Sequence, residues 1–129
     1  MADDFAVTVS AGSLRADPAD GFVVPHAWTD AGVVVAAPGT GAHLLHTAVA
    51  TCVLNDVYRE AQGSGLDVAG VAVVARGGFD AAWVSTGIAY DVEVDSPADH
   101  ATVQALLARV DEVAEIPKTL RAGVRVGRG

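Results

Sequence analysis

The residues of this chain best suited to chemistry stand close together, since His43, His46 and the single cysteine, Cys52, fall within one ten-residue stretch. A thiol attacks peroxides and other soft electrophiles only as the thiolate, so a working Cys52 needs a lowered pKa. The dipole of a helix fades within its first turn and cannot act on a residue about ten positions inside. An arginine must therefore supply the charge. Arg59 lies on the same helix face but about 10 Å along the axis. A cysteine that reduced a peroxide would become a sulfenic acid, and with no second cysteine an external thiol must resolve it. The same lone thiol on an apolar stripe also packs as a small inert hydrophobe, and both readings stand.

His43 and His46 sit one turn apart at the start of the same segment, where the positive end of a helix disfavours imidazolium. Such rings act as bases or metal ligands, or as interface histidines bonded to carbonyls. The His-x-x-His spacing lacks a third ligand and differs from the i, i+4 pair of zinc proteases, so no metal and no cofactor is assigned. His43 is nine residues from Cys52, near the opposite side of a straight helix, and a partnership between them must cross to a second chain or bend the helix. The two tryptophans, Trp28 and Trp83, mark ligand or subunit contacts, and His26 and Tyr58 join the same region; Trp83, Trp28 and Tyr58 are the candidate substrate-binding residues.

These residues must be positioned by short strands and two helices. Phe5 to Val9, Phe22 to Val24 and Val33 to Ala36 read as a three-stranded meander punctuated by Asp17-Pro18-Ala19-Asp20-Gly21. Pro38-Gly39-Thr40-Gly41 then opens a long helix from about Ala42 to Gln62, closed by Gly63-Ser64-Gly65. Its stripe of Leu45, Ala48, Val49, Cys52, Val53 and Val57 is apolar, and Asp56, Arg59 and Glu60 make its second half wetter. Val68 to Ala75 and Val84 to Asp95 read as a hairpin through Arg76-Gly77-Gly78-Phe79-Asp80. The second run alternates, with Val84, Thr86, Ile88, Tyr90, Val92 and Val94 on one face and Trp83 on the other. Ser96-Pro97-Ala98-Asp99 caps a second helix that Pro117 ends, and Ala122 to Val126 reads as a last strand.

At 129 residues and 51% hydrophobic composition, the chain is one domain, 1–129, with a core of small and β-branched side chains. Its net charge of −8, with basic residues scattered, makes nucleic acid a poor partner. Asp3 and Asp4 stand where a signal peptide is basic, the longest apolar run is far short of a bilayer span, and one cysteine forms no internal disulfide. The expected setting is cytoplasmic, with no membrane partner.

The stretch Gly41-Ala42-His43-Leu44-Leu45-His46-Thr47-Ala48-Val49-Ala50-Thr51-Cys52, with Asp95-Ser96-Pro97-Ala98 and Lys118-Thr119-Leu120, resembles the OsmC/Ohr family of osmotically inducible and organic hydroperoxide resistance proteins over roughly residues 30 to 126. The resemblance implies an α+β fold of order β-β-β-α-β-β-α-β, with antiparallel sheets wrapped around long central helices in an intertwined homodimer. It also implies thiol-dependent reduction of organic hydroperoxides. Cys52 matches the attacking thiol, and Arg15 comes from the region that supplies the family's arginine. Two departures stand out. Ala42 or its neighbours fall where the family has glutamate, and its second Cys-Pro appears here as Ala114-Glu115 or Ile116-Pro117. A site rebuilt around His43 and His46 for acid–base or hydrolytic chemistry, or one that binds a small apolar molecule with Cys52 as packing, is the alternative.

Overall fold

The computed structural model describes residues 4–129. Strands β1 (Val7–Gly12), β2 (Phe22–Val24), β3 (Val33–Ala36), β4 (Gly70–Arg76) and β5 (Ala89–Asp95) form one sheet in the order β2-β3-β1-β4-β5, every neighbouring pair antiparallel. Helices α1 (Gly41–Gly63), α2 (His100–Val113) and α3 (Glu115–Ala122) complete an α+β fold. The first three strands are not a meander. β1 pairs with β3 and β4, Val9 lying opposite both Val35 and Val73, while β2 pairs only with β3 at the sheet edge.

The core is made of small and branched side chains. Val7, Val9, Ala11, Val33, Val35, Val71, Val73 and Ala75 from the sheet meet Val53, Leu54 and Val57 of α1 and Leu106 and Val110 of α2. Valine suits this role because its branched side chain packs well on a pleated surface and two such layers approach closely.

Thr40 caps α1, its hydroxyl accepting from the His43 N–H at 3.2 Å. The helix ends at Ser64, and Gly65 takes a left-handed φ of 72° just beyond, as expected from Gly63-Ser64-Gly65. The expected stripe is buried at Val49, Cys52, Val53 and Val57 and half-buried at Leu45, while Ala48 is exposed; Ala50, Leu54 and Ala61 widen the buried face. Asp56, expected in the wetter half, is wholly buried.

Four further expectations are corrected. Asp99, not Ser96, caps α2, accepting from the Thr102 N–H at 2.8 Å; Ser96 instead donates to the Asp67 carbonyl and accepts from the Ala98 N–H. The strand expected from Val84 starts only at Ala89. Asp80 accepts from the N–H groups of Ala82 and Val84, Trp83 adopts φ 63° and Gly87 φ 128°, so this stretch is a looped turn and Trp83 belongs to no strand face. Within β5 the alternation holds, with Tyr90, Val92 and Val94 half-buried between exposed acids.

Pro117 does not end a helix. It is the third residue of α3, where its missing N–H has no intrahelical acceptor to lose. The strand expected over Ala122–Val126 is absent: Ala122 ends α3, Gly123 turns the chain at φ 78°, and Val124 and Val126 are exposed with no paired neighbour. The element order is thus β-β-β-α-β-β-α-α. Among the described residues, no helix is long and apolar enough to cross a membrane.

Candidate functional site

Cys52 lies midway along α1 and turns toward the junction of α2 and α3. Asp56, one turn further on, and Glu115, the first residue of α3, converge on it, and the three ligand atoms lie within 4.8 Å of one another. The Ile116 backbone N–H donates toward the sulfur. Burial, with smaller contributions from the Asp56 and Glu115 charges, pushes the Cys52 thiol up to about 11. Desolvation, then Glu115, also raises the Asp56 carboxyl. Glu115 is lowered, first by its own backbone N–H and then by the Cys52 thiol. The cluster therefore holds the Cys52 thiol protonated beside the Glu115 carboxylate.

Arg59 is the cation beside these acids, with Nη2 3.1 Å from Asp56 Oδ2 and Nε 3.4 Å from Glu60 Oε2. The Asp56 contact is a charge pair without hydrogen-bond geometry, and Asp56 Oδ2 is buried with no hydrogen-bond partner. Arg15 is placed elsewhere, Nη1 donating to the Ala31 carbonyl at 3.3 Å.

A groove of about 410 Å³ opens beside the thiol, with Val24 at the end of β2 and Pro25, His26 and Ala27 of the β2–β3 loop on one wall, Ala48, Thr51, Cys52 and Asn55 of α1 as its floor, and Glu115 and Ile116 at its end. His26 Nδ1 shares a 2.9 Å hydrogen bond with Thr29 Oγ1, while its Nε2 is buried without a partner, and burial lowers the ring's pKa. Tyr58 packs edge-on against His26 and carries its own buried, unpartnered hydroxyl. Trp28 extends from the same loop, partly exposed. Cys52, Tyr58 and the Trp28 loop are thus gathered at one end of the fold.

His43 and His46 are gathered elsewhere. His43 Nδ1 shares a 2.6 Å hydrogen bond with the capping Thr40 hydroxyl, and its ring meets Phe5 edge-on. His46 is wholly buried, its Nδ1 donating to the Phe5 carbonyl at 2.8 Å and its ring stacked on Phe79. A carbonyl only accepts, so Nδ1 holds the proton and Nε2 faces inward without a hydrogen-bond partner. These rings fasten the chain around Phe5 to the start of α1. Trp83 borders this aromatic group, tilted against Phe79 and 75% exposed.

A second cavity, of about 390 Å³, lies on the other flank of α1 between Leu45, Val49, Ile88, Pro117 and Leu120, with Ser85, Tyr90 and Arg121 as its polar groups. The Tyr90 hydroxyl and the Arg121 guanidinium both donate to Asp111 and tie β5, α2 and α3 together there.

Sequence reasoning missed Asp56 and Glu115. Asp56 was within reach, since it lies four residues after Cys52 on one helical face. For Glu115 the one signal was the resemblance, which set Ala114-Glu115 or Ile116-Pro117 where the family has its second Cys-Pro; its approach depends on the break at Ala114, where ψ is 117°.

Residues 39–127 match the OsmC-like protein family, and the chain belongs to it. The crystal structure of an OsmC-like hydroperoxide resistance protein from Jannaschia sp. CCS1 shares the fold, with a TM-score of 0.52 at 13% identity, covering 95% of this chain and 91% of that one. No curated protein matches the chain.

Proposed function

We propose that this OsmC-like chain is a small-molecule-binding protein that takes an apolar molecule in the groove beside Cys52, rather than a hydroperoxide-reducing thiol enzyme. The observation that carries this reading is the company of Cys52. Its sulfur faces the carboxyl groups of Asp56 and Glu115, and Glu115 and Ile116, the residues that abut it, bring no second thiol. Negative neighbours oppose the thiolate that peroxide reduction requires. The groove offers what a ligand needs: apolar walls from Val24, Pro25, Val33 and Ile116 around a few polar groups. Rebuilt histidine chemistry is disfavoured, since His46 has no exposure and His43 is engaged by its own helix cap.

The working unit is a homodimer. Leu44, Trp83, Val84 and Leu120 are exposed apolar residues near the outward flank of α1 and α3, and a second copy laid there covers them. Light scattering then gives twice the 13.0 kDa chain mass.

The test has two arms. Reduced protein is treated with cumene hydroperoxide and an excess of a dithiol, followed by peroxide consumption and by the mass of the Cys52 peptide; no turnover and no sulfenate are expected. In parallel, the neutral fluorophore N-phenyl-1-naphthylamine brightens with the parent protein and fails to do so with Ala48→Phe, which fills the groove floor. Catalytic peroxide consumption that Cys52→Ser abolishes overturns the proposal and restores the peroxidase with an external resolving thiol.

A further inference from the structure

The acid-flanked end of the groove holds three donors of a kind that metal ions bind, contributed by two elements. Cys52 and Asp56 share one face of α1, and Glu115 enters from the first turn of α3. Asp56 supplies a second and separate observation. Its side chain is wholly buried, and its Oδ2 has no hydrogen-bond partner despite the neighbouring Arg59 guanidinium. A buried carboxylate oxygen held only by an ion pair without hydrogen-bond geometry is under-satisfied, and a metal ion is one of the few groups that can complete it.

We infer that Cys52, Asp56 and Glu115 form a binding site for a divalent metal ion of the zinc class, with an open position facing the groove. The donor set selects the ion. One soft thiolate with two carboxylates suits zinc, whereas magnesium and calcium take oxygen donors alone. Three protein ligands leave a fourth position for water or a ligand atom, the composition of reactive rather than closed structural zinc sites. The groove beyond, with Thr51 and Asn55 on its floor, is where that atom arrives. The Cys52 proton leaves to solvent as the ion binds, so two positive charges replace one and the crowding of acids is relieved. Arg59, 43% exposed, is placed to swing outward as the ion takes its share of Asp56.

This inference rests on the groove being the functional site, and it fails separately from the binding of an apolar molecule. The whole protein is titrated with Co²⁺ alone and then with Zn²⁺ in competition. Expected are one equivalent of cobalt per chain, a thiolate-to-cobalt charge-transfer band in the near ultraviolet, and displacement by zinc. Cys52→Ser removes the band, and Glu115→Gln weakens binding by at least about tenfold, the loss that even an outer-shell change commonly brings. Circular dichroism and melting of each variant without metal confirm that it is folded. No stoichiometric binding, or binding with the band unchanged in Cys52→Ser, overturns the site. If zinc binds and the naphthylamine does not brighten, the metal site stands and the apolar-ligand reading falls.

Discussion

A carboxylate oxygen of Glu115, the first residue of α3, lies within 4.8 Å of the sulfur of Cys52, in the middle of α1, and this approach brings the α2–α3 junction onto the central helix. Burial and the two carboxyl neighbours raise the thiol from 9.0 to about 11, so the fold holds it protonated. The resulting stability is complete below the unfolded value and is lost as pH rises through the folded one, between about 9 and 11. In metal-free protein, the rate of iodoacetamide alkylation should rise with a midpoint near 11. Glu115→Gln should move that midpoint down. An unshifted midpoint in the variant would show that Glu115 does not act on the thiol.

Tyr90 gives a second pH window, on the other flank of α1. Burial, then the hydrogen bond to Asp111, pushes its phenol up to about 12. Its neutral form stabilises the fold below the ordinary tyrosine value near 10, and this is lost as pH rises from there toward 12. Tyr58 is raised as well, by burial. Absorbance at the phenolate band should therefore show neither tyrosine ionising at its ordinary pH while the protein is folded. Tyr90→Phe should leave the remaining transition to Tyr58 and loosen Arg121, which shares Asp111 with it.

The start of α1 depends on one hydroxyl. Thr40 accepts from the His43 N–H and shares a second bond with the His43 ring, so Thr40→Ala removes both. The expected loss is about 0.5–2 kcal/mol, read from urea unfolding, with Thr40→Ser close to the parent. A Thr40→Ala protein as stable as the parent would mean that the aromatic contacts of His43 hold the helix start alone.

Much of this fold was legible, and the failures have physical causes. α1 announced itself through a turn-forming entry at Pro38 to Gly41 and a glycine stop, both local signals. The pairing of β1 with β3 and β4 is non-local, and nothing in Val7 to Gly12 names its partners. Val124 and Val126 carry strand-type residues, yet the chain after Gly123 meets no sheet edge, and propensity without a partner makes no strand. Of the site, Cys52 was visible as a residue type and Asp56 by its spacing. Glu115 was marked only by position, within the stretch that stands in place of the family's second Cys-Pro, because it reaches the thiol only through the turn at Ala114.

Glycines in this chain separate into those that space requires and those it does not. A Cβ on Gly12 would lie 2.2 Å from the Ala69 carbonyl oxygen and 2.8 Å from the Tyr58 hydroxyl, at a φ of 64°. The first obstacle is backbone and cannot swing aside, so β1 and β4 must part or Tyr58 must leave its place against His26. Gly63, in the last turn of α1, meets nothing within 4 Å and has no left-handed φ. Gly12→Ala should therefore cost about 1–3 kcal/mol or more, while Gly63→Ala should be neutral or stabilising by up to about 1 kcal/mol through helix propensity. Paired melting curves of the two variants check this. Because Tyr58 backs His26 on the groove wall, Gly12→Ala should also weaken naphthylamine binding, whereas Gly63→Ala should not.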